Sequence, residues 1–121
     1  MYFTETERVA IVKLTQLIIA ADGKVKDIEV AVVAREMHRM GISNAQPVLT
    51  ASNEMDFGTA CSIVSKMSAA EKRYVCAVMG AIIAVDLDID ETETDMWSLI
   101  SLLCDFPEMT ITEALGYLSN M

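Results

Sequence analysis

No lysine or arginine follows Arg73, yet nine acidic side chains do: Asp86, Asp88, Asp90, Glu91, Glu93, Asp95, Asp105, Glu108 and Glu113. Residues 1–42 hold six cations and six acids and residues 43–85 three of each, so the whole net charge of -9 sits in the last third. That third repels phosphate backbones and attracts cations or a basic surface, which excludes nucleic acid as its partner.

Cysteine is scarce. Cys61, Cys76 and Cys104 are an odd number without a Cys-x-x-Cys pair, which fits buried reduced thiols and excludes a disulfide framework or a zinc ribbon. His38 is the one histidine, placed between Met37 and Met40, and reads as a helix-end cation beside core sulfurs rather than a soft-metal site. There is no glycine-rich phosphate loop, no Gly-x-Ser-x-Gly elbow and no base other than His38 for a thiol nucleophile, so no catalytic activity is expected. The longest apolar run, Tyr74 to Val85, has twelve residues where a membrane span needs about 20. It reads as a buried core helix. Residues 1–7 lack a basic segment followed by an apolar one, so no signal peptide is expected and a cytoplasmic location is.

What is present in quantity is apolar: 53% of residues, against 22% charged, predicts one packed domain over residues 1–121. The apolar positions recur at helical spacing and no segment alternates over strand length, so the fold is expected to be all-α with roughly seven helices. Thr4-x-x-Glu7, Ser68-x-x-Glu71 and Thr110-x-x-Glu113 are capping boxes that open three of them. Ser43–Ser52 and Asp56–Met67 read as two shorter helices, with Pro47 confined to a first turn. The helix from Glu91 to about Cys104 is expected to turn Met96, Leu99, Ile100 and Leu103 inward.

A sequence motif occurs twice. Ile18-Ile19-Ala20-Ala21-Asp22-Gly23-Lys24-Val25-Lys26-Asp27-Ile28-Glu29 returns 64 residues later as Ile82-Ile83-Ala84-Val85-Asp86-Leu87-Asp88-Ile89-Asp90-Glu91-Thr92-Glu93. The offset holds without a gap from residues 4–42 to 68–106, which predicts a compact bundle of two helix-turn-helix units about a pseudo-two-fold axis. Each unit carries Asp and Glu seven residues apart across the turn.

The second turn opens like an EF-hand with Asp86-x-Asp88-x-Asp90, but Glu91 stands where that loop needs glycine and Trp97 where it needs a bidentate Glu. An EF-hand is excluded. Asp86, Asp88, Asp90 and Glu93 remain candidates for another hard-oxygen cation site, for Ca²⁺ or Mg²⁺ rather than Zn²⁺. The alternative is structural: Asp90 caps the next helix, Glu93 reaches back to the cap, and the rest is a solvated acidic turn. In the first turn Asp22 and Glu29 are accompanied by Lys24 and Lys26, which compete with a metal.

The duplicated run of an apolar helix ending Ile-Ile-Ala-Ala-Asp-Gly, a short turn and a helix opening with Glu29 resembles the TerB-like (tellurite-resistance protein B) family over about residues 4–120. The resemblance implies a seven-helix bundle with internal two-fold pseudo-symmetry, a role in bacterial stress response or tellurite resistance, and no catalytic activity. It also implies a divalent cation held through Asp22 and Glu29 in one copy and Asp86 and Glu93 in the other. Departures are Leu87 in place of the turn glycine and Lys26 in place of a small polar cap.

Two functions follow as expectations. One is a helical module that binds a divalent cation at its acidic turns and acts through protein contacts; the other is a metal-free interaction domain whose acidic third docks a basic partner. Arg8, Lys13, Lys24, Lys26, Arg35 and Arg39 could also meet that third head to tail in weak self-association, or simply pair locally, as exposed charges usually do.

Overall fold

The computed structural model describes residues 1–85 and 89–121, so Asp86, Leu87 and Asp88 lie outside the described residues. Those described form seven helices and no strand: α1 (Glu5–Ala20), α2 (Asp27–Arg39), α3 (Ala45–Glu54), α4 (Phe57–Ser65), α5 (Ala69–Ala84), α6 (Glu91–Cys104) and α7 (Ile111–Ser119). None is long and apolar enough to cross a membrane.

Helix starts follow side-chain caps. The backbone N–H of Glu7 donates to Thr4 Oγ1 at 3.1 Å while the N–H of Thr4 donates to Glu7 Oε1 at 2.8 Å. The same reciprocal pair opens α5 at Ser68 and Glu71 and α7 at Thr110 and Glu113. Asn44 and Asp56 cap α3 and α4 with one side-chain bond each. Satisfying donors that the first helical turn leaves orphaned is what fixes these boundaries.

The duplication is visible helix by helix. α1 and α5, of 16 residues each, start 64 residues apart, and so do α2 and α6, of 13 and 14 residues. The correspondence reaches further than residues 4–42 and 68–106, because α3 packs on α1 as α7 packs on α5, at nearly the same offset. α4 has no counterpart and bridges α1 and α6.

α5 is the hub: every residue from Tyr74 to Ala84 is buried. Gly80 lets α6 and α7 approach it, since a Cβ there would lie 2.6 Å from Ala114 Cβ and 3.0 Å from Trp97 Cζ2. All three cysteines are free and buried. Burial holds their thiols up, that of Cys104 to about 12 and that of Cys76 to about 11.

One expectation about a helix face is corrected. α6 buries Glu93, Trp97, Ile100 and Cys104, whereas Leu99 and Leu103 face solvent. The large Trp97 ring takes the place beside Gly80, and the leucines next to it in sequence are rotated outward by the helical repeat. In α2, likewise, Ile28 and Val30 are exposed while Glu29, Val32, Val33, Glu36 and Met37 are buried. His38 is exposed and Met37 and Met40 lie in the core, so these three do not share a site.

Candidate cation site

Three carboxylates are buried to 1% exposure or less: Glu29, Glu36 and Glu93. Their surroundings differ sharply. Glu36 accepts from the Tyr74 hydroxyl at 2.7 Å and from Arg35 Nε at 2.9 Å, and Arg39 Nη1 stands 3.5 Å away. It is a paired charge with its lone pairs used, as buried charge requires. Burial, then the bond to Glu36, pushes the Tyr74 hydroxyl far above its ordinary value.

Among the described residues, Glu29 and Glu93 have no donor for their carboxyl oxygens other than a proton held by the facing acid. Each sits in the first turn of its helix, α2 and α6, at equivalent places in the two repeats. Both side chains turn inward instead of back toward the cap. Glu93 therefore does not close the expected capping box: Asp90 accepts from the N–H of Thr92 at 2.8 Å and of Glu93 at 3.3 Å, without a return bond from the Glu93 side chain. The Thr92 hydroxyl also donates to Asp90 and is the main reason its carboxyl is held below the ordinary range. On α2, Lys26 gives no side-chain cap, as its residue type predicts.

The Glu93 carboxyl is held well above the ordinary carboxylate range, to about 8. Burial is the first cause, followed by the hydrogen bond to Glu29, the charge of Glu29 and the charge of Asp22; Lys26 acts in the opposite sense. Two carboxylates are acceptors only, so that bond exists when one of the pair carries a proton and is lost when both ionise. Asp22 is half-buried and accepts from the backbone N–H of Lys24 at 2.8 Å.

The two acidic turns, separate in sequence, thus meet. Glu29 and Asp22 of the first turn both act on Glu93 of the second across the junction of the repeats, Asp90 caps the helix that carries Glu93, and the charge of Lys26 acts on both Glu93 and Asp90. Asp86 and Asp88, candidates from the same motif, lie outside the described residues. Among the described residues no three His, Cys, Asp or Glu side chains converge closely enough to enclose an ion by themselves. The donor set is hard oxygen throughout, suited to Ca²⁺ or to a Mg²⁺ that keeps several waters and takes one or two carboxylates. Glu36, the third buried acid, had no signal in sequence beyond its place on the inward face of α2.

These features define a class: an all-helical, internally duplicated domain with an unpartnered buried acid pair where the repeats join. No family model matches the chain, and no curated protein does. A solved structure does match, the crystal structure of the protein of unknown function PG1108 from Porphyromonas gingivalis W83, at 38% identity and a TM-score of 0.86 over 97% of this chain and 98% of that one. The chain belongs to the family of that protein.

Proposed function

We propose that the chain is a small cytoplasmic module that holds one divalent cation, Ca²⁺ or Mg²⁺, between its two repeats and acts through contacts with another protein. The observation that carries this reading is the pair Glu29 and Glu93, buried with four carboxyl oxygens and, among the described residues, no donor from outside the pair. An unpaired buried charge is costly and a cation removes that cost, while the charge of Asp22 adds to the pull on the ion and water completes the shell. Asp86, equivalent to Asp22 in the repeat, is the further candidate ligand on sequence grounds. The TerB-like resemblance assigns the same acidic positions to a cation and the same kind of module to stress response or tellurite resistance, without an activity of its own.

Calorimetric titration of ion-free protein with Ca²⁺ and with Mg²⁺ tests this. One ion is expected per chain, with the heat lost in Glu29→Gln and Glu93→Gln. Equal heats in wild type and both variants, or none from any of them, would overturn it. A second reading, a metal-free domain whose acidic third docks a basic partner, is supported by the absence of any cation after Arg73.

A further inference from the structure

We infer that the exposed face of α6 formed by Leu99, Leu102 and Leu103 is a docking ridge for a basic amphipathic helix of another protein. The inference rests on the reading that the module acts through protein contacts and does not require the cation.

The three leucines are 44%, 79% and 47% exposed and fall within about 100° of arc around the helix. Their equivalents in the first repeat are Arg35, His38 and Arg39. Residues 95–104 repeat the exposure pattern of 31–40 position by position, except that Met96 and Ser101 are half-buried where Val32 and Met37 are buried. The fold therefore accepts polar residues at these places. Packing does not call for leucine there, and three leucines on one stripe are more than scattered surface hydrophobics.

The charge around the ridge selects its occupant. Asp95 precedes Leu99 by four residues and Leu102 by seven, so it lies on the same stripe; Glu91 extends the stripe one turn further, and Asp105 ends it with a side chain 92% exposed. α6 itself carries no cation, and Lys72, largely buried, pairs with Asp105 at 3.6 Å. An apolar centre between acidic ends fits a helix with apolar residues at i, i+3, i+4 and i+7 and lysine or arginine at its flanks. Another copy of this chain fits less well. The apolar side chains that α2 does expose, Ile28 and Val30, lie toward its start, away from Arg35 and Arg39, and those two cations are engaged by Glu36.

The test uses a fluorescent peptide of about 18 residues, leucine and lysine in amphipathic helical order, with a control in which glutamate replaces lysine. Anisotropy is read in EDTA, so a failure of cation binding does not affect the result. The ridge variant is Leu99→Arg/Leu102→His/Leu103→Arg, which installs the first repeat's residues; its melting curve checks the fold, and Leu102→Gln is the milder second variant. Wild type is expected to bind the lysine peptide and not the glutamate one, with salt weakening the complex. The triple variant is expected to bind at least tenfold more weakly and Leu102→Gln several-fold more weakly. Unchanged affinity in both variants would overturn the ridge while leaving the docking reading standing; no binding by wild type would sink both. Sedimentation showing a wild-type dimer that the triple variant lacks would put a second copy on the ridge and overturn the foreign helix.

Discussion

Replacing Glu93 by Gln keeps the shape of the side chain, removes one of two facing buried charges and supplies an amide that can donate to Glu29. At pH 9 without divalent ions both carboxylates of the wild type must ionise with no donor between them. Holding Glu93 from 4.5 up to about 8 corresponds to a cost on the order of several kcal/mol once it is ionised, at about 1.4 kcal/mol per pH unit. With that cost discounted to about 2–3 kcal/mol for solvent screening and relaxation, and a domain of this size moving by about 3–5 °C per kcal/mol, ion-free Glu93→Gln is expected to melt roughly 6–15 °C above wild type at pH 9. Ions should reverse the order of gain. At a hundredfold excess over its dissociation constant a ligand adds about 2.7 kcal/mol, so wild type should rise by about 8–13 °C in Ca²⁺ or Mg²⁺ and the variant should not respond. Circular dichroism melts at matched ionic strength with EDTA, Ca²⁺ and Mg²⁺ read both effects. A variant that melts below wild type in EDTA, or keeps the full ion response, would refute the argument.

Without ions, wild-type stability should fall as pH rises from about 4.5 to about 8, because the folded Glu93 keeps a proton that the unfolded chain releases; melts across that range should show the slope, and Glu93→Gln should flatten it. Tyr74→Phe should cost about 1.5–3 kcal/mol in urea unfolding, since it takes a 2.7 Å donor from the buried Glu36; a loss below about 0.5 kcal/mol would mean that Arg35 and Arg39 satisfy that carboxylate alone. Gly80→Ala gains up to about 1 kcal/mol of helix propensity but places a methyl 2.6 Å from Ala114 Cβ, so a net loss of about 1–2 kcal/mol is expected, and a raised melting temperature would contradict the close approach of α5 and α7.

Three helix starts could be read from sequence because each is written locally, in Thr4, Ser68 and Thr110, within three residues of what it bonds, whereas the helix expected over Ser43–Ser52 starts after the cap Asn44 and runs to Glu54. The hub could be read because α5 is apolar on every side. The face of α6 could not. Trp97, Leu99, Ile100, Leu102, Leu103 and Cys104 are all apolar, so periodicity alone does not choose among them, and the choice is made by the space above Gly80.

The meeting of the two acidic turns was hidden for a similar reason, being a contact between residues 64 apart. A glutamate three residues after a cap can turn back or turn in. One signal did distinguish these outcomes: Glu29 and Glu93 are identical while the cap slots hold Lys26 and Asp90. A glutamate kept for capping has no reason to outlast its partner.

Two repeats fused in one chain are released from a constraint that binds two identical subunits. In a symmetric dimer any surface residue must occur twice, and an apolar stripe on one protomer brings its duplicate with it. Here the interior kept its symmetry, with Glu29 opposite Glu93, while the outer faces diverged to Arg35, His38 and Arg39 on one side and Leu99, Leu102 and Leu103 on the other. One molecule can then present a single sticky face and engage its partner one to one, without the cross-linking into larger assemblies that a doubled face would invite.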